Sequence, residues 1–167
     1  MERRPLIIVG SGPAGCATAL YLERLDPALA RDVLVLDKAE HPREKVCAGG
    51  LIPHTLDCLR ELDIPLAVPH VTVDDAEVLV PGARVAYRGR DLCRVIRRSA
   101  FDAHLAEVCR SRGIEVRGGE RVVDVGRENG GVRVETDRGS YRADAVIGAD
   151  GSGSIVRRKL LGGGTAH

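Results

Sequence analysis

Leu6-Ile7-Ile8-Val9-Gly10-Ser11-Gly12-Pro13-Ala14-Gly15 constrains the fold of this chain more than any other stretch. An apolar strand runs into a G-x-G-x-x-G turn, and Ala17, Leu20, Tyr21 and Leu25 then recur at the spacing of a helix face. Each glycine has a physical reason in that setting. Gly10 permits the sharp turn, Gly12 lets the backbone approach a pyrophosphate, and Gly15 lets helix and strand pack closely, with Pro13 and Ala14 completing the turn. Phosphates then sit on free N–H groups at the helix start, where the dipole favours negative charge. A second apolar run, Val33 to Leu36, ends in Asp37, about 20 residues past the turn, where an acid commonly holds ribose hydroxyls. A turn that merely packs a helix would leave Asp37 without a reason. The pattern predicts a βαβ unit that binds a dinucleotide.

The rest of the composition narrows the class. A chain of 167 residues, 44% hydrophobic, is one domain long and able to bury a core. Its 25 basic and 24 acidic residues nearly cancel, and one Phe, three Tyr and no Trp provide no stacking platforms, so a nucleic-acid partner is not expected. Cys16, Cys47, Cys58, Cys93 and Cys109 form no C-x-x-C pair, and the five histidines are equally scattered. No metal site is expected, and reduced thiols point to a cytoplasmic protein. The uncharged run from Pro5 to Leu22 imitates a signal peptide or a short membrane span. Gly10, Gly12, Pro13 and Gly15 interrupt it, so it is expected to be buried strand and helix.

After Asp37 and Lys38, the segment from His41 to Leu51 carries Arg43 and Lys45 on one side and small residues on the other. By residue physics it is either a loop that lets a planar ligand approach the backbone or a solvated loop with a glycine hinge. Pro53 to Leu62 is a predicted short helix with Leu56, Leu59 and Leu62 as its stripe. Between Val68 and Val95 the pattern changes to four short strands, Val71–Val73, Glu77–Val80, Arg84–Tyr87 and Cys93–Val95, separated by Asp-Asp, Pro-Gly and Gly-Arg-Asp turns. A helix then begins with Ser99 as N-cap and Asp102 closing an arrangement like a capping box. It buries Phe101, Leu105 and Val108, leaves His104 in solvent, and ends at Gly113. Ile114–Val116, Arg121–Val125, Val132–Thr136 and Tyr141–Ala143 follow as strands, the last three an antiparallel meander that replaces a crossover helix. Asp144 to Arg157 reads as a buried strand emerging into an Asp150-Gly151 turn and a basic helix start.

Val9 to Gly15, Leu36-Asp37-Lys38 and above all Pro42-Arg43-Glu44-Lys45-Val46-Cys47-Ala48-Gly49-Gly50-Leu51 resemble the geranylgeranyl reductase family of FAD-dependent oxidoreductases, within the class that contains aromatic-ring hydroxylases and flavin-dependent halogenases. The resemblance implies FAD as cofactor and places Lys45, Cys47, Gly49 and Gly50 beside the flavin ring, with Ala48 where glycine is usual. It implies that Arg98, the arginine of an Arg-x-x-Phe-Asp-x-x-Leu helix, reaches the FAD phosphates and that Val122 faces the adenine through its backbone. Asp150 and Gly151 lie at the cofactor edge, with Ser154 and Arg157 at matching positions. It further implies that residues 66–95 leave the nucleotide domain for a sheet on the substrate side.

The expectation is an α/β, Rossmann-like FAD-binding domain with a parallel sheet, a meander crossover and part of a second sheet. Its activity would be reduction of carbon-carbon double bonds in an isoprenoid chain, with Cys47 the one candidate catalytic residue near the ring. An external donor, NAD(P)H or another, would supply electrons. Family members continue with a Gly-Asp-Ala motif and the bulk of the substrate cavity, so residues 1–167 read as the N-terminal portion of a longer enzyme, one with peripheral membrane contact, and Gly162–His167 as a frayed tail. A monooxygenase or halogenase shares the glycine turn, Arg98 and Asp150-Gly151 but has no need of the Lys45–Gly50 loop, a truncated chain would be a non-catalytic FAD-binding fragment of a longer enzyme, and a nicotinamide-only dehydrogenase leaves Asp150-Gly151 unexplained.

Overall fold

The computed structural model describes residues 1–162; most of the expected C-terminal tail lies outside them. The chain opens with β1 (Glu2–Val9), α1 (Pro13–Leu25), α2 (Pro27–Arg31) and β2 (Leu34–Leu36). These continue into β3 (Gly50–Leu51), α3 (Pro53–Glu61), β4 (His70–Val80), β5 (Ala83–Ile96) and α4 (Arg98–Ser111). The last elements are β6 (Glu115–Arg117), β7 (Val122–Glu128), β8 (Gly131–Thr136), β9 (Ser140–Gly148) and α5 (Ile155–Leu160).

The main sheet has the order β6-β2-β1-β9-β8-β7. Its first four strands are parallel, and β7, β8 and β9 form the antiparallel meander. Leu6, Ile7, Ile8 and Val9 are buried in succession, as befits a strand covered on both faces. Leu6 and Ile8 join Cys16, Leu20, Phe101 and Leu105 of α1 and α4 in one cluster. Ile7 and Val9 join Val125 and Val134 of the meander and Val156 of α5 in the other. The meander therefore does the covering that a crossover helix does elsewhere in such folds. The apolar run from Pro5 is strand and helix, and among the described residues no helix is long and apolar enough to cross a membrane.

Three local expectations are corrected. The four short strands after Val68 are two long ones: β4 and β5 pair as a hairpin closed at Pro81-Gly82, the glycine at φ +80°, and join β3 in a separate antiparallel sheet. A register shift at Asp74 leaves Gly89-Arg90-Asp91 bulged from β5 with no cross-strand partner, yet pairing resumes on either side at Val73–Cys93 and Asp75–Arg88, so each turn-prone segment is an irregularity inside one strand instead of its end. The capping box is also absent. The N-cap of α4 is Arg97, with no side-chain capping bond, and Asp102 is turned into the protein. His104 is half-buried and bonds the Pro65 carbonyl through Nε2, 3.0 Å away.

Candidate functional site

The carboxyl ends of β1, β2 and β9 meet at the glycine turn, where the chain crosses in opposite directions from β1 and leaves a crevice. The turn is fastened on both sides: Gly10 N–H donates to the Leu36 carbonyl at 2.7 Å, and Ala149 N–H to the Val9 carbonyl at 2.8 Å. Gly10 lies at φ +107°, and a Cβ on it would come within 2.7 Å of the Ala149 carbonyl carbon. A Cβ on Gly15 would lie 2.9 Å from the Gly10 carbonyl carbon and closer still to its oxygen, so this glycine serves the packing of α1 on β1. Gly12 differs, having an ordinary φ of −73°, with Arg43 Nη2, 3.4 Å away, as the one atom near a Cβ placed there. That open side is a cradle. Gly12 caps α1, Pro13 occupies its first turn, and no side chain caps it, so the helix start faces the crevice with its donors free.

A cavity of about 750 Å³ opens above this turn. Gly10, Gly12, Pro13 and Ala14 of the turn line it together with Asp37, Lys38, Lys45, Arg98, Val122, Asp150 and Gly151. Ten of the candidate residues from five separate segments thus share one space with Lys45. Cys47, Ala48, Gly49 and Gly50 do not line it. Cys47 and Ala48 are exposed, Gly49 is packed where a Cβ would lie 3.2 Å from the Ile96 carbonyl carbon, and Gly50 opens β3. The glycine pair therefore anchors the loop to β5. Ser154 caps α5, its Oγ accepting from Arg157 N–H at 3.0 Å, and Arg157 turns back to the Ser152 carbonyl.

Asp37 is buried and already engaged. Oδ2 accepts from Ser11 N–H at 2.7 Å and from Ser11 Oγ at 2.9 Å, and Oδ1 from Ala39 N–H at 3.0 Å. Burial pushes its pKa up, but the bonds from Ala39 and Ser11 together win, and the carboxyl is held below the usual carboxylate value. An ionised carboxylate has about four acceptor positions, which leaves room for one ribose hydroxyl beside these three bonds. His41 Nε2 lies 2.7 Å from the same Ser11 hydroxyl. Because that hydroxyl donates to Asp37, it accepts from His41, which fixes the ring tautomer. Burial first and Arg43 second lower the His41 pKa, favouring the neutral ring.

Asp102 stands at the centre of a charged cluster that the sequence reading did not assemble. Asp102, with no exposed surface, accepts from Arg98 Nε at 2.7 Å and from Arg98 Nη2 at 2.9 Å, and its Oδ2 also lies 3.2 Å from Arg43 Nη2. The i, i+4 spacing of Arg98 and Asp102 was available as a signal. Nothing local announced that Arg43 would join them. Cys47 Sγ accepts from Gly49 N–H at 3.4 Å, and that bond, followed by Arg98, lowers the thiol pKa.

Three buried polar atoms around the turn have no partner among the described residues: His41 Nδ1, Arg43 Nε and Asp150 Oδ1. Orphans of this kind are rare in a finished core, and a donor on the arginine with an acceptor on Asp150 suits a ligand that carries both phosphates and hydroxyls. The sequence profile described as the FAD binding domain matches residues 3–163. The chain belongs to that family. It is 29% identical to the menaquinone reductase of Mycolicibacterium smegmatis over 95% of its own length and 40% of that protein's. Among solved structures it is similar to the flavin-dependent halogenase CmlS, with a TM-score of 0.77 at 30% identity, covering 96% of this chain and 32% of that one. It is also similar to a geranylgeranyl bacteriochlorophyll reductase-like protein of Thermoplasma acidophilum, with a TM-score of 0.71 at 26% identity, covering 90% of this chain and 40% of that one. The chain spans about two fifths of the length of the first curated relatives it matches. For the FAD binding domain family the residues fit the cofactor: an uncapped helix start and a cradle at Gly12 for the pyrophosphate, arginines beside it, and Asp37 within reach of a ribose.

Proposed function

We propose that this chain is the FAD-binding part of an oxidoreductase that reduces a carbon-carbon double bond of an isoprenoid chain. The observation that carries the FAD half of this reading is the single cavity in which Gly12, Asp37, Arg98 and Asp150 converge. The adenosine would lie along Asp37 and Val122, the pyrophosphate over Gly12 and the start of α1, and the ribityl chain toward Asp150. Bound FAD would supply two-electron chemistry at its ring. The chain's own residues bind, orient and neutralise: α1 and the arginines would offset the phosphate charge, and Lys45 adds a further cation to the cavity lining.

The reductase half is supported by the Lys45–Gly50 loop and by the likeness to two proteins whose names include reductase activity. The halogenase likeness, at higher identity, favours a second reading in which the same domain serves a halogenase or monooxygenase. The electron donor, the peripheral membrane contact and the role of the β3-β5-β4 sheet on the substrate side belong to the proposal. Titrating the protein with FAD, FMN and NAD tests the cofactor, and FAD is expected to bind most tightly. Equal affinity for FMN, which lacks the adenosine half, would sink that assignment. Anaerobic turnover of a geranylgeranyl substrate by a chain extended to the length of its relatives tests the reaction. Halogenation or hydroxylation of an aromatic substrate in its place would decide for the second reading.

A further inference from the structure

We propose that Asp102 is the positioning residue of the phosphate site: one buried carboxylate that holds two arginines from distant segments over the turn at Gly12. The inference rests on the reading of the cavity as an FAD site. Arg98 comes from the first turn of α4, and Arg43 from the loop after β2. Asp102 grips the first with both oxygens, at 2.7 and 2.9 Å, and the second through Oδ2 at 3.2 Å. The same Arg43 Nη2 lies 3.4 Å from where a Cβ on Gly12 would stand, and Arg43 Nε is buried with no partner among the described residues.

The charges explain why a holder is needed. Two guanidinium groups beside the positive end of α1 repel each other and the helix, and each long side chain gains freedom by swinging into water. A single carboxylate between them keeps both in place, and the cluster still carries one net positive charge toward an incoming pyrophosphate. Guanidinium forks held in this manner need less ordering when the phosphates arrive. The opposing effect is also clear. Asp102 is an anion near an anion site, so by charge alone its removal would tighten FAD. The geometry favours positioning, because both Asp102 oxygens are already covered by guanidinium groups and the residue has no exposed surface.

The test is FAD affinity, followed by flavin fluorescence, for the wild-type protein, Asp102→Asn, Arg43→Ala and the double variant, with thermal midpoints measured alongside. Asp102→Asn is expected to weaken FAD by about 10–100-fold, the range for losing a hydrogen bond to a charged group. Arg43→Ala is expected to weaken FAD in the wild-type background and to change it by less than about threefold once Asp102 is gone, since an unheld Arg43 has little left to contribute. A purely structural role would lower the midpoint and leave the two substitutions additive. Asp102→Glu keeps the charge and displaces the carboxylate by one methylene. It is expected to weaken FAD as well, and it supplies the decision should Asp102→Asn not fold. Wild-type protein that failed to bind FAD would overturn the reading of the cavity. Wild-type protein that bound FAD, with unchanged or tighter binding in either Asp102 variant or with additive losses, would overturn the positioning role alone.

Discussion

Gly12 and Gly15 belong to one motif but meet different surroundings, and substituting each separates cofactor binding from folding. At Gly15, a Cβ would lie 2.9 Å from the Gly10 carbonyl carbon, well inside the ordinary contact range. Gly10 cannot easily yield, because its N–H is bonded to Leu36 and its own Cβ position is closed by Ala149. Gly15→Ala therefore forces α1 away from β1, an overpacking that costs about 1–3 kcal/mol. At about 2–4 °C per kcal/mol for a domain of this size, the midpoint falls by roughly 2–12 °C. At Gly12 a Cβ meets only the Arg43 guanidinium, at the edge of ordinary contact, and the backbone conformation is open to any residue, so Gly12→Val overpacks far less than Gly15→Ala. The midpoint of Gly12→Val is expected to stay within about 2–4 °C of wild type, the shift for a change of ~1 kcal/mol, while the branched side chain occupies the phosphate cradle and abolishes FAD binding. Thermal melts followed by circular dichroism, with FAD titrations of the same preparations, provide both readings. Normal FAD binding by Gly12→Val would place the phosphates elsewhere, and a larger loss of stability at Gly12 than at Gly15 would refute the division of labour.

Two further outcomes follow from the titrating groups. His41 has a lowered pKa in the fold, so the unfolded chain binds more protons in the window between the folded value and about 6.5, and the ring's contribution to stability is expected to be lost as pH falls across that window and to be level below it. His41→Gln should flatten that part of a chemical-denaturation profile recorded against pH, and an unchanged slope would show that the ring does not contribute. Cys47 is exposed with a lowered pKa, so iodoacetamide is expected to label it before Cys58 and Cys93 near neutral pH, as read by peptide mass spectrometry. Arg98→Ala should slow that labelling, and equal rates in the two proteins would remove the arginine from the account.

The first βαβ unit was legible in the sequence because its signals are local. A strand of consecutive apolar residues, a turn whose glycines are required within a few residues of one another, and a helix face all declare themselves over short spans. The Asp37 position and the meander, with its turn at Gly130, followed from the same kind of signal. What only the tertiary structure decided was the choice among partners. Asp102 had the spacing for a capping residue, yet burial of α4 against α1 turned it inward, where its carboxylate was satisfied by Arg98 and by Arg43 from another segment. Asp37 read as a ribose acid, and the fold added Ser11 and Ala39 as its donors. The Asp-Asp and Gly-Arg-Asp segments carried turn composition and do interrupt the pairing of β4 with β5, but the pairs on either side of them keep both inside one long hairpin. Propensity and periodicity fix what a segment tends to form by itself. Which buried charge meets which donor depends on distances between segments that no local pattern encodes, and the cost of leaving such a group unpaired settles the answer once the segments are packed.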